Sequence, residues 1–147
     1  MNKFQYKYEN LLNIKEKYEK MAKEKLNDAM EKLNSEKKKL QVYHQDKVNC
    51  QELLRINMEQ GLNVSSLKNY GSYLNGLETK ILQQKESVSQ SNVRVDHLRN
   101  AVLKASTERR TFEKLKEKEK ENYSYQEKKE EERFVDQLVT FNNYKSN

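Results

Sequence analysis

The chain contains no proline, no tryptophan, one cysteine and three glycines, and all three glycines fall between residues 61 and 76. Proline and glycine are the residues that most often end or interrupt helices. Their absence elsewhere leaves two long stretches, about 2–60 and about 66–145, that can each form one continuous helix. The glycine-bearing middle is the natural place for the chain to reverse. The sequence therefore predicts two long helices joined near its centre.

The scarcity of cysteine and the lack of long apolar runs indicate the cellular compartment in which the protein is expected. A single cysteine, Cys50, excludes an intrachain disulfide and is typical of a reducing compartment. No apolar run approaches the roughly twenty residues that a membrane-spanning helix needs. The N-terminal residues are polar and lack the apolar core of a signal peptide. We therefore expect a soluble cytoplasmic protein.

The composition favours a narrow helical seam over a globular core. Of 147 residues, 35% are charged and 34% are hydrophobic. A compact globule of this length buries about two thirds of its unfolded surface, for which this chain has too few apolar residues. The net charge is +6, but lysines and glutamates alternate without a basic block. Nucleic-acid binding requires a stripe of one sign, so the charge pattern disfavours it and indicates solvated helix faces.

The second half of the chain carries a nearly unbroken heptad pattern. Its seam positions follow steps of three and four: Leu67, Tyr70, Leu74, Leu77, Ile81, Gln84, Val88, Ser91, Val95, Leu98, Val102, Ala105, Arg109 and Phe112. A pattern sustained over more than about four heptads indicates a coiled coil. Such a seam needs a partner helix to cover it.

The first half supplies a matching seam that is less regular. Its positions are Leu26, Ala29, Leu33, Glu36, Leu40, Tyr43, Lys47, Cys50 and Leu54. Before them, Phe4, Tyr8, Leu11, Tyr18 and Ala22 extend the pattern with an extra step of four, which predicts a stutter that locally unwinds the supercoil. Polar seam residues, namely Glu36 and Lys47 in this half and Gln84 and Arg109 in the other, should fix the register of pairing.

Together the two seams predict an all-α fold, a long antiparallel two-helix coiled-coil hairpin. The hairpin would form a single domain over 1–147, with helix 1 at about 3–58, the tip at about 59–65 and helix 2 at about 66–144. We expect a monomer. A parallel homodimer is the alternative, which the unequal regularity of the two seams disfavours.

Apolar residues at the two ends of the chain predict a partner-binding surface. Phe134, Leu138 and Phe141 restore an apolar spacing of four and three after a highly charged stretch. In an antiparallel hairpin they would share one end with Phe4, Tyr8 and Leu11. Exposed apolar patches of this kind mark contact sites for other proteins.

The residues needed for catalysis are missing from the sequence. His44 and His97 are isolated, and neither has a second ligand at metal-binding spacing. Cys50 falls on a seam position, where a buried residue is expected rather than a nucleophile. No glycine-rich phosphate loop is present, and two helices form no enclosed pocket. The sequence therefore predicts a protein that is not an enzyme and has no cofactor, metal or small-molecule substrate.

Three motifs, in order along the chain, are similar to those of a known family. They are Phe4-x-Tyr6-x-Tyr8-x-x-Leu11-Leu12-x-Ile14-Lys15-Glu16, Leu67-x-x-Tyr70-x-x-Tyr73-Leu74-x-x-Leu77-x-x-x-Ile81, and Phe112-Glu113-Lys114-Leu115-Lys116-Glu117-Lys118 with Tyr123 and Asp136 after it. By these motifs and its length, essentially the whole chain resembles the flagellar protein FliJ family. Gln137 departs from the family pattern, which often has an acidic residue after the aspartate.

The resemblance implies a non-enzymatic component of the flagellar type III protein export apparatus. Members of the family resemble the central stalk of rotary ATPases and associate with the hexameric flagellar export ATPase. They also contact the cytoplasmic domain of the export gate and act as general or escort chaperones in flagellum assembly, with export chaperones among their partners. The implied location is cytoplasmic, peripherally associated with the inner membrane at the flagellar base.

The resemblance also implies residues for two contacts. For the ATPase ring they are Phe4, Tyr8, Leu11, Phe134, Leu138 and Phe141. For the export gate they are Tyr73, Leu77, Lys80 and Gln84, expected on an exposed face at the start of the second helix. Leu77 also falls on the predicted seam, whereas Tyr73 does not. The alternative function is a generic cytoplasmic coiled-coil adaptor or spacer, with the same seams and no ATPase partner.

Overall fold

The computed structural model describes residues 3–146 and contains two α-helices. Helix α1 covers Glu9–Glu59 and helix α2 covers Val64–Ser146, and no β-strand occurs among the described residues. Contacts between the helices join Asn57 to Tyr70 and Glu36 to Gln84, so residue numbers rise on one helix as they fall on the other. The predicted all-α, antiparallel two-helix coiled-coil fold is confirmed.

The connection between the helices is short, and local features mark both of its ends: Gly61 after α1 and Asn63 before α2. Gly61 has a φ of 89°, in the left-handed region that favours glycine, and it follows the last turn of α1. The side-chain oxygen of Asn63 accepts a hydrogen bond from the backbone N–H of Ser66 at 2.8 Å. Asn63 thus caps the first turn of α2. The connection spans residues 60–63, within the predicted tip at 59–65.

Residues cluster into two compact units, which we call the tip unit and the terminal unit. The tip unit comprises residues 22–102, and the terminal unit comprises residues 3–21 together with 103–146. The tip unit follows the predicted heptad closely. Its most buried side chains are Leu33, Cys50, Leu77, Ile81, Val95 and Leu98, with the polar Gln84 and Ser91 among them.

The terminal unit departs from the predicted pattern. The expected seam through Tyr8, Leu11 and Tyr18 with a stutter is wrong, because Leu11 and Tyr18 are exposed while Leu12 and Glu19 are buried. Counted back from Leu26 in steps of four and three, the seam continues through residues 22, 19, 15 and 12 without a stutter. Helix α1 also begins at Glu9 rather than near residue 3, so residues 3–8 reach α2 as a non-helical segment.

Polar residues on the seams are paired across the helices. In the tip unit, the Gln84 amide donates to the Glu36 backbone carbonyl at 2.8 Å and also to the Glu36 carboxylate. Lys47 meets Glu78 at 3.4 Å. In the terminal unit, Arg109 donates to Glu19 at 2.7 Å. The four polar seam residues expected from the sequence therefore all have partners in the structure, and each pair forms only in one register.

Arg109 is the centre of the polar cluster in the terminal unit. Its guanidinium contacts Glu19 on α1 and Glu113 one turn further along α2, the second at 2.6 Å. Hydrogen bonds to these two carboxylates raise the pKa of Arg109. The cation is therefore held between two anions at a position where a heptad normally has an apolar residue. This pairing explains how a charged residue such as Glu19 occupies the seam.

Candidate partner-binding surfaces

The last turns of α2 present apolar side chains that nothing in the described chain covers. Every residue from 128 to 146 is exposed. Among them are Phe134, Leu138 and Phe141, which are between 46% and 62% exposed, and their neighbours Val135 and Val139. We call these five residues the C-terminal stripe. Phe134, Leu138 and Phe141 are three of the residues that the family resemblance implies for the ATPase ring.

The C-terminal stripe is wider than a coiled-coil seam. At 3.6 residues per turn its five members span about 160° of the helix circumference, and Asp136, Gln137 and Thr140 occupy the rest. The two positions of a heptad seam are separated by only about 60° on the same measure. One partner helix would therefore leave part of the stripe exposed. A partner that covers all of it must be concave or must approach from more than one side.

Aromatic residues at the start of the chain pack onto α2 instead of facing solvent. The rings of Phe4 and Tyr123 lie 5.6 Å apart, and the rings of Tyr8 and Phe112 lie 6.2 Å apart. Between them, the hydroxyl of Tyr6 donates a hydrogen bond to the Phe112 backbone carbonyl at 2.8 Å. These contacts hold the non-helical segment 3–8 against α2.

Tyr6 is the buried member of this cluster, and its place in the first family motif did not identify it as a core residue. Burial raises the pKa of its hydroxyl, and the nearby carboxylate of Glu119 raises it further. The neutral hydroxyl is needed because only that form donates to the Phe112 carbonyl. No helical spacing could reveal Tyr6 as a core residue, since it lies before the first turn of α1.

The expected single patch of N-terminal and C-terminal apolar residues is not formed. Phe4 reaches Tyr123, and Phe134 lies eleven residues further along α2, which corresponds to about 16 Å at 1.5 Å per residue. Phe4 and Tyr8 are half-buried, whereas Leu11 is exposed on α1. The C-terminal stripe is therefore separate from the N-terminal aromatic cluster.

The four residues expected to contact the export gate do not share one exposed face. Tyr73 is 54% exposed and Lys80 is also exposed, but Leu77 is 4% and Gln84 9% exposed. The expectation that Leu77 and Gln84 lie on the surface is wrong because both occupy seam positions facing α1. Tyr73 and Lys80 each come one residue before a seam position, so they lie on a flank of the seam.

Helix α1 contributes to the surface around Tyr73. A groove of about 430 Å³ is lined by Leu53 and Cys50 of α1 and by Tyr70 and Tyr73 of α2, with three polar residues at its edges. Leu53 precedes seam residue Leu54 just as Tyr73 precedes Leu74. In an antiparallel pair these two flanking positions lie side by side. Leu53 was not predicted as a site residue, although its heptad position before Leu54 could have indicated it.

Neither a metal site nor a membrane-spanning helix is found in the part of the chain that the structure describes. No group of three or more histidine, cysteine, aspartate or glutamate side chains within residues 3–146 is arranged to hold a metal ion. Within the same range, neither helix has a stretch apolar enough to cross a membrane.

The fold defines an antiparallel two-helix coiled-coil protein. Comparison with known families identifies it more closely, because the sequence profile of the family described as Flagellar FliJ protein matches residues 4–147. The chain belongs to that family, and it is a component associated with flagellar protein export and motility. Comparisons with curated proteins and with solved structures gave no match.

Proposed function

We propose that this chain acts in flagellar protein export as a stalk for the hexameric export ATPase and as a general or escort chaperone in flagellum assembly, with export chaperones among its partners. In this proposal the C-terminal stripe enters the ATPase ring, and the surface around Tyr73 binds the cytoplasmic domain of the export gate. The chain itself performs no chemistry and contributes binding surfaces alone. Family membership supports the setting, and the two exposed surfaces support the contacts.

The width of the C-terminal stripe is the observation that carries the ring contact. Its roughly 160° arc requires a partner on more than one side, and the lumen of a ring supplies such a surface. Exposed large apolar side chains clustered at one place are typical of protein contact sites. The N-terminal aromatics Phe4 and Tyr8 contribute indirectly, since their own rings are engaged with Tyr123 and Phe112.

Hydrolysis by purified flagellar export ATPase, measured with and without this chain, tests the ring contact. We expect the wild-type chain to stimulate hydrolysis and the double variant Leu138→Ala/Phe141→Ala to lose most of that stimulation. The control is Leu82→Ala/Val93→Ala, which removes two apolar side chains from the tip unit that are even more exposed than Leu138 and Phe141. It should stimulate like the wild type.

The outcome of this experiment separates three cases. Loss of stimulation in the Leu138/Phe141 variant alone supports the ring contact. Equal stimulation by that variant and the wild type refutes the role of the C-terminal stripe. If even the wild-type chain has no effect and does not co-sediment with the ATPase, a coiled-coil adaptor or spacer is the better description. Circular dichroism should show unchanged helicity in both variants.

The gate contact rests on the groove beside Tyr73. Tyr73 and Leu53 expose apolar surface on opposite sides of a depression, which suits one apolar side chain of a partner. Tyr73→Ala and Leu53→Ala should each weaken binding to the purified cytoplasmic domain of the export gate in a calorimetric titration. Tyr125→Ala is a matched control because Tyr125 lies on the same helix and is 56% exposed, against 54% for Tyr73.

The stability of the variants decides how a loss of gate binding is interpreted. Tyr73→Ala should leave the melting temperature unchanged, because the side chain lies outside the seam. Retained gate affinity in both Tyr73→Ala and Leu53→Ala would exclude the groove as the contact. A large drop in melting temperature for Tyr73→Ala would assign this residue to the structure instead.

A further inference from the structure

A second groove, formed by both helices, lies on the same flank of the tip unit as Tyr73. It has a volume of about 500 Å³. Its lining comprises Lys25, Asp28, Ala29, Lys32, Glu36, Ser87, Gln90, Ser91, Arg94 and Leu98. Tyr73 and Arg94 are 21 residues apart on α2, a distance of about 32 Å along the helix. The two grooves are therefore separate sites.

Small side chains create this groove. Ala29 on α1 and Ser91 on α2 occupy seam positions where most other layers hold larger apolar residues. Ser87, which precedes seam residue Val88, is a second small residue on the same side. The flanks of the two helices consequently stand apart around a shallow floor, at whose base Leu98 is buried.

Three cationic side chains from the two helices surround this floor. Lys25 and Lys32 are one heptad apart on α1, and Arg94 approaches from α2. In the part of the chain that the structure describes, none of the three forms an ion pair with an acidic residue. Glu36, in contrast, is engaged by Gln84 and lies 4.0 Å from Lys39. Because Asp28 and Glu36 also line the groove, its net positive charge is small, but its three cationic groups have no ion-pair partner among the described residues and can pair with carboxylates of a partner.

From this arrangement we propose that the groove binds an acidic peptide segment of a partner protein. Carboxylates of the segment pair with Lys25, Lys32 and Arg94, where the fork of the arginine can hold a carboxylate in two hydrogen bonds. The small residues at the floor allow the peptide backbone to approach closely. This site goes beyond the ring and gate contacts, and its success or failure is independent of them.

The acids and amides of the groove distinguish a peptide from a nucleic acid. Asp28 and the side-chain oxygen of Gln90 are acceptors, and peptide N–H groups can donate to them. A phosphate backbone offers only acceptors, so it cannot donate hydrogen bonds to Asp28 and Gln90 as peptide N–H groups can. The groove also lacks an aromatic side chain on which a base could stack. These features favour an acidic peptide over a polynucleotide.

Fluorescence anisotropy at low salt tests the proposal with a short labelled peptide of alternating glutamate and serine. The wild-type chain should bind this peptide, and Lys32→Ser/Arg94→Ser should weaken binding about tenfold, since it removes two pairing charges. The matched control is Lys37→Ser/Lys85→Ser. It removes the same charge from the opposite flank, where each lysine follows a seam position, and it should retain affinity within about twofold.

A groove-filling variant separates shape from charge. Ser87→Phe places a ring over the floor without altering net charge, so it should weaken peptide binding as strongly as the loss of Lys32 and Arg94. Its melting temperature, measured in parallel, should match that of the wild type because Ser87 lies on the flank and not in the seam.

Several results would overturn the proposal. An equal loss of affinity in the Lys37/Lys85 control would show general attraction to a basic helix surface. Equal or tighter binding of single-stranded oligothymidylate would favour a polyanion. Undiminished peptide binding by Ser87→Phe would exclude the groove, and no binding by the wild type would exclude the site altogether.

Discussion

The polar layer of Glu36 and Gln84 allows a quantitative test of how the seam is stabilised. Gln84→Leu removes the amide that donates to both the backbone carbonyl and the carboxylate of Glu36. The carbonyl loses little, because it lies within the helical hydrogen-bond ladder of α1. The carboxylate loses more. Its side chain is 16% exposed and retains Lys39 at 4.0 Å as its nearest cation.

The expected cost follows from leaving a largely buried carboxylate without its donor. Removing one partner of such a group costs about 1–3 kcal/mol of unfolding free energy. For a chain of this length that corresponds to a melting temperature lower by about 3–10 °C. The double variant Glu36→Leu/Gln84→Leu replaces both partners by apolar groups, and it should be at least as stable as the wild type.

Thermal and urea denaturation followed by circular dichroism measure these differences. Gln83→Leu is the matched control, because the neighbouring glutamine is exposed and its replacement should change stability by less than about 0.5 kcal/mol. The reasoning is refuted if Gln84→Leu is as stable as the wild type. It is equally refuted if the double variant is less stable than Gln84→Leu.

Three further predictions concern other parts of the molecule. Leu77→Ala should lower the unfolding free energy, measured by urea denaturation, by about 2–5 kcal/mol because it leaves a cavity in the seam. A loss below about 1 kcal/mol, closer to that of a surface substitution, would contradict the seam position of Leu77. Burial raises the pKa of the Tyr6 hydroxyl in the folded protein. The neutral hydroxyl therefore contributes its full share of the unfolding free energy below the ordinary tyrosine pKa of about 10, and this contribution is lost as pH rises through the pKa of the folded state. Melting curves of Tyr6→Phe and the wild type should therefore converge at alkaline pH, and a constant difference would argue against this role. Deleting the residues from 129 onward should leave the melting temperature unchanged because their side chains are exposed, and a clear drop would reveal packing in that segment.

The sequence was sufficient for the fold class and for most of the tip unit. From Leu67 to Phe112 the seam residues are mostly apolar and evenly spaced, so local periodicity alone identifies them. It was insufficient at the start of α1, where Glu19 occupies a seam position and Tyr18 beside it is exposed. The residue that makes Glu19 acceptable is Arg109, ninety residues away, and no local pattern can show this pairing.

The sequence indicated most of the C-terminal stripe, the gate face in part, and neither of the two grooves. Phe134, Leu138 and Phe141 were identified because an apolar spacing of four and three recurs there after a highly charged stretch, and all three are exposed. The gate face was half wrong because Leu77 and Gln84 were assigned by resemblance although both fall on the seam. The two grooves depend on which flanking residues of α1 and α2 lie side by side. That information requires the register, which only paired residues such as Glu36 and Gln84 define.

The unequal loops closed by the interhelical contacts have a consequence for folding. Asn57 and Tyr70 are 13 residues apart in sequence, whereas Tyr6 and Phe112 are 106 apart. Closing a short loop costs less chain entropy, and once it is closed each further layer adds only a few residues. Folding should therefore proceed as a zipper that starts beside the turn. During synthesis on the ribosome, Phe4, Tyr6 and Tyr8 must wait until residues 112–123 have been made, so this segment reaches its native contacts long after its own synthesis.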